Sequence, residues 1–532
     1  MKLRILCLVI LSSIALYSCG QENLNNKPEQ KIEQTKNSKS KIISDKIING
    51  TMVIDFKGKE QTYKFDGDWK AFSNIERSFQ RLIYGFSFLD DFFNAYEDTK
   101  DISYIKEGYS LIISFVEQME FDKSKMSWHD ETTALRMTNI LNFIKKTEQL
   151  DFKLSNKDEE LIDDNLKKTS ELFAFTDFYS GNNNHGFFQD EAGLMYAVKY
   201  GRDDIKDICS KRIEKYIKDN FDNDGVHLEN SSEYHYVLVA ELKKVLDNYD
   251  ENVIPNYNEL KEIYVKSADF AYQTLLPSGI IPNIGDSWSM KINLNDYYSD
   301  DILNNRNTNK RQVYYESGYD IYKNMDKKAF LLFRGGYIKN PHHHNDDLSF
   351  WLYKDGNIFT EFGSYGYEES NPHTKYQTDF EAHNTLIVDD GNKFKGKDVK
   401  ITKTDSSWEM SGVTNRISNI AFRRNIRFNK DLSNISIIDT VKSLDKQEHK
   451  YTRLFHLDPS IQPKIKKKLG KNVVELYRGD KLIGKLITED EVSLTDDFYY
   501  SVYYQNPPQS TKVIKVDCNG IDKEMKVDIE LK

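Results

Sequence analysis

The chain has 532 residues and a formal net charge of −10 at pH 7. This length exceeds what one hydrophobic core usually supports, so we expect two large domains rather than one. The acidic balance argues against a nucleic-acid-binding protein, because such proteins usually carry a basic face.

The N-terminus has the pattern of a bacterial export and lipidation signal. Lys2 and Arg4 precede a short apolar stretch that ends in Leu16-Tyr-Ser-Cys19. These four residues resemble a lipobox, in which Cys19 becomes the lipid-modified first residue of the mature protein. An ordinary signal peptide with an incidental cysteine is the alternative. We therefore expect residues 1–19 to direct export, and the protein to be lipid-anchored at the cell envelope and to touch the membrane only through that lipid.

Residues 20–45 are polar, rich in Lys, Gln and Asn, and contain no aromatic residue. Such a segment cannot bury enough apolar surface to fold, so we expect a disordered tether there. After removal of the signal segment, and with Cys19 carrying lipid, Cys209 and Cys518 remain. Because they fall in different predicted domains, a disulfide framework is not expected.

A helical domain is predicted over residues 46–310. From about residue 70 to 300, apolar residues recur three and four positions apart, as in Ile75, Phe79, Leu82 and Ile83. Short polar loops separate the helical segments, and short connections force neighbouring helices to be antiparallel. The pattern predicts a helical toroid or solenoid.

An antiparallel β-sandwich is predicted over residues 311–532. Near residue 325 the spacing of apolar residues changes from the helical period to the strand period of two. Segments such as 329–334, 420–428 and 451–456 have this alternation, and Gly-containing turns separate them. Many short strands without intervening helices indicate a sandwich. The fold class is therefore α+β and multidomain, with an (α/α) toroid followed by a β-sandwich.

Four polar clusters interrupt these patterns, at residues 182–189, 224–235, 342–350 and 382–385. Their order and spacing resemble the heparinase II/III type of polysaccharide lyase, which includes heparan-sulfate and alginate lyases. The resemblance extends over roughly residues 128–455. It implies that the partner is an anionic polysaccharide and that a 4-linked uronate in it is cleaved by β-elimination.

The chemistry of that reaction can be compared with the residue types present. β-Elimination removes the weakly acidic C5 proton of the uronate and expels the oxygen at C4. The substrate carboxylate must be neutralised while charge develops on it. A base must take the proton, and an acid must protonate the leaving oxygen. The four clusters contain the amide, imidazole and phenol groups that these tasks require.

The resemblance implies roles for three residues in the first two clusters. Asn184 and His185 match the pair that neutralises the substrate carboxylate; the alternative is a loop of Asn residues that caps the next helix. Tyr234 matches the general acid in the spacing E-x-S-x-x-Y-H, and a core aromatic residue is the alternative. His235 is interpreted as a structural partner, and the neighbouring Tyr236 also carries a hydroxyl.

The third cluster supplies a candidate base. His342 matches a histidine that acts in some relatives as the base or as a partner of the leaving sugar. In an extended segment His342 and His344 would point to one face, and His343 to the other. Tyr376 is a weaker candidate base, because some alginate-type relatives carry a second catalytic tyrosine near that position.

The resemblance also implies a metal site. His344 and His383 match histidine ligands, and Glu361 stands where relatives often have Asp. Two imidazoles and one carboxylate suit Zn²⁺. We expect it to act as a structural tie between strands.

Three further residues are candidates for substrate binding. Arg136 and Arg423 carry planar guanidinium groups that bind carboxylate or sulfate, although a structural ion pair is an equal alternative. Glu229 lies in the second cluster. The segment 282–286 also looks like a family loop and is interpreted as structural.

Two other functions compete with the lyase hypothesis. A glycoside hydrolase on a toroid scaffold would need two carboxylates flanking the bond, and Asp190, Glu191, Glu229 and Glu233 are available. A non-catalytic, glycan-binding surface lipoprotein would keep the aromatic residues and lose the acid and base. The intact tyrosine and histidine clusters favour the enzyme.

Overall fold

The fold is taken from a computed structural model of the chain. It describes residues 29–56, 59–305, 312–336, 342–367, 371–392, 399–402, 408–499 and 509–532. The export signal, Cys19 and residues 20–28 lie outside this set. Within it, every helix is too short or too polar to span a membrane.

Helices dominate the part of the chain that precedes residue 306. Two short helices at residues 300–305 and 372–377 accompany the start of the strand-rich part. The helices are α1 (Glu29–Ile48), α2 (Arg77–Tyr84), α3 (Leu89–Thr99), α4 (Ser103–Gln118), α5 (Asp130–Thr147), α6 (Asn156–Phe175), α7 (Asn184–Tyr200), α8 (Asp203–Asn220), α9 (Ser232–Asn248), α10 (Tyr257–Thr274), α11 (Asp300–Asn305) and α12 (Pro372–Gln377).

The helix α1 differs from the sequence prediction, because it occupies residues that we expected to form a disordered tether. That prediction is wrong for residues 29–45. Ser40 and Ser44 are buried, and the Ser40 hydroxyl donates a hydrogen bond of 2.6 Å to Asp91 on α3. Asp45 accepts a hydrogen bond of 2.6 Å from the Tyr104 hydroxyl. Small serines allow close helix packing, and these polar contacts replace the apolar burial that the segment lacks.

Strands form most of the rest of the chain. They are β1 (Thr51–Phe56), β2 (Lys59–Lys64), β3 (Gln312–Tyr315), β4 (Tyr319–Asn324), β5 (Ala329–Arg334), β6 (Phe350–Lys354), β7 (Asn357–Phe359), β8 (Leu386–Val388), β9 (Val399–Thr402), β10 (Glu409–Thr414), β11 (Ile420–Phe428), β12 (Asn434–Ser443), β13 (His449–His456), β14 (Ile461–Lys468), β15 (Lys471–Arg478), β16 (Lys481–Thr488), β17 (Glu491–Tyr499), β18 (Gln509–Gly520) and β19 (Lys523–Leu531).

The described strands after residue 311 form three antiparallel sheets. The first has the order β3-β4-β5-β6-β7, and the second has the order β17-β18-β13-β8. The third has the order β14-β15-β16-β19-β12-β11-β10-β9. In β11, burial alternates along the strand, so that Phe422, Ile426 and Phe428 face the interior while Arg423 and Arg427 are exposed. This alternation is the reason that the segment forms a half-buried strand.

One apolar core draws side chains from all three of these sheets. Phe333 and Phe350 come from the first sheet, Phe455 from the second, and Ile426 and Ile437 from the third. Each of these side chains is at most 1% exposed. Burial of large aliphatic and aromatic side chains between sheets is the main favourable contribution to a sandwich fold.

The chain divides into two compact units that do not coincide with the predicted domains. The first unit contains the described residues up to Tyr216 together with Tyr249–Asn256, and the second contains Ile217–Asn248 and Tyr257–Lys532. The predicted division at 310/311 follows the change from helices to strands, whereas α9 and α10 belong with the strand-rich unit. Their side chains explain this: Phe270 of α10 packs with Tyr319 and Leu332 of the first sheet in one apolar cluster.

Candidate active site

Several of the polar residues singled out in the sequence lie in two clusters, one in each unit. In the first unit the cluster lies at the N-terminus of α7. Asn183 caps this helix, because its side-chain oxygen accepts a hydrogen bond of 3.0 Å from the backbone N–H of Gly186. A Cβ atom at Gly186 would lie 1.9 Å from the carbonyl oxygen of Gly181, so only glycine fits there. The cap and the glycine place Asn184 and His185 in the first turn.

His185 is held by an acidic cluster at the start of α5. Its Nδ1 lies 3.1 Å from Asp130 Oδ1, and its Nε2 lies 3.8 Å from Glu131 Oε2. The Ser180 hydroxyl donates to the other oxygen of Asp130. The side chain of His185 is 35% exposed, so the ring is anchored on one side and accessible on the other.

The electrostatics of this cluster favour a charged pair. Burial alone would lower the pKa of His185, but the hydrogen bond to Asp130 and the charge of Glu131 raise it overall. Burial would raise the pKa of Asp130, but its contacts with His129, His185 and Ser180 lower it overall. The arrangement therefore stabilises an imidazolium–carboxylate pair.

The cluster in the second unit begins at the N-terminus of α9. The Ser231 hydroxyl accepts a hydrogen bond of 3.2 Å from the backbone N–H of Tyr234 and contacts the Ser287 hydroxyl at 2.8 Å. The Ser287 hydroxyl also accepts a hydrogen bond of 3.1 Å from the backbone N–H of Glu233. This serine pair ties the helix start to the loop that contains Asp286, and thereby fixes the position of Tyr234.

Tyr234 and His342 form the centre of this cluster. Their rings stack with centroids 3.7 Å apart and an angle of 20° between the planes. The hydroxyl of Tyr234 lies 3.2 Å from the hydroxyl of Tyr367. Tyr367 is 43% exposed. The phenol of Tyr234 and the imidazole of His342 are thus stacked face to face, and the exposed phenol of Tyr367 contacts the Tyr234 hydroxyl.

Asp286 connects the two histidines of the third sequence cluster. Its carboxylate oxygens lie 2.7 Å from His342 Nδ1 and 2.9 Å from His344 Nε2. His342 has a left-handed backbone with φ of 53°, so the two rings converge through a loop and not through an extended strand. His343 contacts Arg416, whose guanidinium donates to His343 Nε2 at 3.3 Å. Glu229 is buried, with Oε2 3.6 Å from His342 Nε2.

The neighbours of Tyr234 on α9 are core residues. Tyr236 is 1% exposed, and its hydroxyl donates a hydrogen bond of 2.5 Å to the carbonyl of Ala271. His235 is fully buried, and burial lowers its pKa to about 3. Its Nε2 contacts the carbonyl of Ser267 at 3.3 Å. Of the three consecutive aromatic residues, Tyr234 is therefore the one whose ring is only half-buried.

The Tyr376 hydroxyl is hydrogen-bonded to two other groups of the protein, and its role as a base stays a prediction. Its hydroxyl donates to the carbonyl of Glu381 at 3.0 Å and to Asp497 at 3.1 Å. Burial, together with the charge of Asp497, raises the pKa of Tyr376, which makes the phenolate harder to form. Tyr367 is the tyrosine that contacts Tyr234.

The three predicted zinc ligands lie near one another. His383 Nδ1 contacts Glu361, which also accepts a hydrogen bond from the Ser349 hydroxyl. The ring of His344 lies 5.4 Å from that of His383, but its Nε2 is directed to Asp286.

Some features of these residues fit a zinc site and others do not. His383 Nε2 is buried without a hydrogen-bond partner among the described residues. A bound metal ion would give this nitrogen a partner. The donor types also suit zinc. However, no group of three or more His, Cys, Asp or Glu side chains in the described part of the chain is arranged to hold a metal ion. The zinc site stays a prediction.

The predicted role of Arg136 in substrate binding is wrong, because the residue is 2% exposed. Its guanidinium donates to the carbonyls of Tyr84 and Ser127 at 3.0 and 2.6 Å, and it lies over the rings of Phe115 and Trp128. Burial lowers its pKa to about 9.

The other two predicted substrate-binding residues, Glu229 and Arg423, differ in exposure. Glu229 is only 2% exposed, so its carboxylate faces His342 and not solvent. Arg423 is exposed on β11, and its guanidinium lies 3.4 Å from the Ser411 hydroxyl. The role of Arg423 stays a prediction.

Three residues of the two clusters were not found from the sequence as functional candidates. Asp286 belongs to the loop that we interpreted as structural. Asp130 follows His129 directly, and this acidic residue beside a histidine was the available signal. Tyr367 follows Gly366 in a glycine-containing loop, and nothing in its spacing distinguishes it from Tyr365.

Comparison with protein families gives two matches that together cover most of the chain. The family model described as "Heparinase II/III N-terminus" matches residues 12–310. The model described as "Heparinase II/III-like, C-terminal" matches residues 306–530. A search of curated proteins finds no significant match to the chain.

Comparison with solved structures shows the fold. A crystal structure of heparinase III has a TM-score of 0.75 at 14% identity, over 92% of this chain and 84% of that one. A mutant of the heparan sulfate lyase HepC from Pedobacter heparinus has a TM-score of 0.69 at 14% identity, over 96% and 85%. Chondroitin AC lyase from Streptomyces coelicolor, in complex with chondroitin sulphate, has a TM-score of 0.50 at 10% identity, over 93% and 79%.

These likenesses confirm the predicted fold class. The helical N-terminal part is of the (α/α) toroid type, and the C-terminal part is an antiparallel β-sandwich.

Proposed function

This chain belongs to the heparinase II/III family, and on that premise we propose that it cleaves a 4-linked uronate in an anionic polysaccharide by β-elimination. The assignment as a polysaccharide lyase rests on the two family matches and on the fold shared with heparan sulfate lyases. The observation that carries the proposed mechanism is the stacked pair of Tyr234 and His342, with centroids 3.7 Å apart.

In the proposed reaction His342 takes the proton from C5. When Nδ1–H is donated to Asp286 and Nε2 carries no proton, the lone pair of Nε2, which lies 3.6 Å from Glu229 Oε2, is the proton acceptor. The electrons of the C5–H bond form the C4–C5 double bond, and the bond between C4 and its oxygen breaks. The Tyr234 hydroxyl donates its proton to that oxygen. The distance between the stacked rings suits two groups that serve adjacent carbon atoms.

Tyr367 is proposed to support the acid step. Its hydroxyl lies 3.2 Å from that of Tyr234, so it can donate a hydrogen bond to the phenolate that remains after proton transfer. Because Tyr367 is 43% exposed, it can also contact a sugar ring. It replaces Tyr376 as the second tyrosine of the proposed site.

Asn184 and His185 are proposed to neutralise the substrate carboxylate. His185 is paired with Asp130 and partly exposed, and the Asn184 side-chain oxygen accepts a hydrogen bond of 3.0 Å from the backbone N–H of His185. Their amide and imidazole groups supply hydrogen bonds where negative charge develops on the carboxylate.

We propose heparan sulfate or a related uronate-containing glycosaminoglycan as the substrate, with alginate as the alternative. Solved neighbours are described as a heparan sulfate lyase and as a chondroitin AC lyase bound to chondroitin sulphate. A screen of purified protein against heparan sulfate, chondroitin sulphate, hyaluronan and alginate tests this. Heparan sulfate should give the strongest ultraviolet absorbance of an unsaturated uronate; absorbance with alginate alone would contradict the choice.

Burial disfavours three of the four candidate carboxylates of the hydrolase alternative, and Glu191 alone of the four is partly exposed. Of its candidate carboxylates, Asp190, Glu229 and Glu233 are each at most 3% exposed. Asp190 also accepts a hydrogen bond of 2.9 Å from the Tyr179 hydroxyl. Carboxylates buried in this way cannot flank a glycosidic bond from opposite sides.

Export and anchoring through a lipid on Cys19 complete the proposed function. The support is the sequence pattern at the N-terminus, which resembles a lipobox. A lyase tethered at the envelope would act on polysaccharide outside the cytoplasm and retain its products near the cell.

A further inference from the structure

We propose that Asp130 is a positioning residue of the active site, which orients the His185 imidazole through Nδ1 and holds it as a cation. This inference rests on the proposed function, in which His185 neutralises the substrate carboxylate. Asp130 is not among the site residues predicted from the sequence, and the charge of His185 follows from its contact with Asp130.

The Asp130 carboxylate is fixed from several sides. Oδ1 lies 3.1 Å from His185 Nδ1 and 2.8 Å from His129 Nδ1, and it accepts a hydrogen bond of 2.6 Å from the backbone N–H of Glu131. Oδ2 accepts a hydrogen bond from the Ser180 hydroxyl. A carboxylate with this many partners cannot turn away from the His185 ring, so the ring orientation is fixed as well.

The charge on the ring decides what His185 can do. When Nδ1–H is donated to Asp130, a neutral ring offers Nε2 as an acceptor, which is the function of a base. A protonated ring offers Nε2–H as a donor, which is what neutralisation of a substrate carboxylate requires. The two roles therefore predict opposite dependences of turnover on pH.

The charged groups that face His185 favour the protonated ring. Asp130 and Glu131 come from α5, and Glu131 also forms an ion pair of 2.6 Å with Arg81 of α2. His129 lies with its ring centroid 5.8 Å from that of His185. Burial and the Arg81 charge lower the pKa of His185, whereas Asp130 and Glu131 raise it, and the carboxylates prevail.

The first test is a nuclear magnetic resonance titration of the histidine side chains, with the His185 signal identified by its loss in His185→Asn. In the wild-type protein the pKa of His185 should lie above the ordinary value of about 6.5. In Asp130→Asn it should fall by about one unit or more, because an opposite charge at this distance shifts a pKa by that amount. Asp130→Glu, which keeps the carboxylate, should restore part of the difference.

The second test is the pH dependence of heparan sulfate and alginate cleavage, followed by ultraviolet absorbance. A protonated His185 is required, so turnover should fall as pH rises through the pKa of His185. In Asp130→Asn this fall should move to lower pH by the same amount as the titrated pKa. Asp90→Asn is the matched control, since Asp90 pairs with Lys146 at 2.6 Å elsewhere in the first unit. Its pH profile should equal that of the wild type.

The outcomes separate this inference from the proposed function. A wild-type His185 pKa at or below the ordinary value overturns the inference, even if Asp130→Asn does not fold. A lowered pKa in Asp130→Asn with an unmoved pH profile overturns the role of the cation in neutralisation. If the wild type cleaves neither polymer, the proposed substrates fail, while the titration still decides whether Asp130 holds His185 as a cation.

Discussion

At the residue scale, the proposed acid step depends on one hydroxyl, that of Tyr234. Tyr234→Phe keeps the ring that stacks on His342 and deletes only the proton donor. We predict that folding and polymer binding stay nearly unchanged and that turnover of heparan sulfate falls by about 10²–10⁴-fold, the usual cost of losing a general acid. Initial rates of ultraviolet absorbance measure the effect.

The matched control is Tyr236→Phe, two residues along the same helix. Its hydroxyl donates to the carbonyl of Ala271 in the core, so its loss should cost about 1–3 kcal/mol of stability. Turnover of the folded variant should stay within a few-fold of the wild type. Loss of turnover in Tyr236→Phe with normal turnover in Tyr234→Phe would show that the acid is assigned to the wrong tyrosine.

The second tyrosine of the site gives a separate prediction. Tyr367→Phe should lower turnover, because the Tyr234 phenolate then loses a donor at 3.2 Å. Tyr376→Phe should leave turnover close to that of the wild type, since its hydroxyl contacts Glu381 and Asp497. Steady-state kinetics of both variants decide between them, and the reverse order of effects would favour Tyr376 as the second catalytic tyrosine.

Sequence reasoning predicted site residues where the spacing within a short motif is informative, such as Tyr234 and His342, and the structure brings these two rings together. It did not identify Asp286 or Tyr367, which reach the same cluster from loops distant in sequence. Asp286 contacts His342 across 56 positions, and Tyr367 contacts Tyr234 across 133. Contacts of this kind depend on how the loops fold, and no local pattern encodes that.

At the scale of elements, strands were predictable where one face is buried. The period of two in β11 is visible in the sequence because Phe422 and Ile426 are buried while Arg423 is exposed. Helix α1 was not predictable in this way, because its buried positions include Ser40 and Ser44. Burial of small polar residues produces no hydrophobic pattern, and the segment therefore resembled a disordered tether.

The predicted zinc site belongs to the elements around β6 and β8. If zinc joins His344, Glu361 and His383, elemental analysis should find about one zinc ion per chain, and a strong chelator should lower the melting temperature. The reason is that metal bound only by the folded state contributes its binding free energy to stability.

His383→Ala and Arg423→Ala provide a matched pair for this experiment. The first should remove both the zinc and the effect of the chelator, whereas the second changes an exposed residue on β11 and should keep both. Metal-free wild-type protein whose melting temperature does not change with chelator would rule out the site.

At the scale of the whole molecule, the proposed lipid anchor on Cys19 would keep the enzyme at the membrane. Cys19→Ala should release the protein from the membrane fraction without changing its turnover, because Cys19 precedes every described element of the fold. Fractionation of cells that produce each form, followed by an activity assay, measures both effects. Retention of the variant in the membrane fraction after removal of the signal segment would count against lipidation.

The overall architecture was predictable from the change in hydrophobic period, since α11 ends at Asn305 and β3 begins at Gln312. The division into two compact units was not predictable from the sequence, because it depends on which surfaces α9 and α10 bury. Phe270 packs with strand residues such as Leu332, and this tertiary preference cannot be read from the helical period of the segment.

Mass spectrometry of the oligosaccharides released from heparan sulfate tests the central claim most directly. Elimination adds no water across the cleaved bond, whereas hydrolysis adds one water molecule for each cut. We predict that the new non-reducing ends carry an unsaturated uronate and are one water molecule lighter than the corresponding hydrolysis products. Products with saturated uronate ends and the mass of the added water would contradict the account.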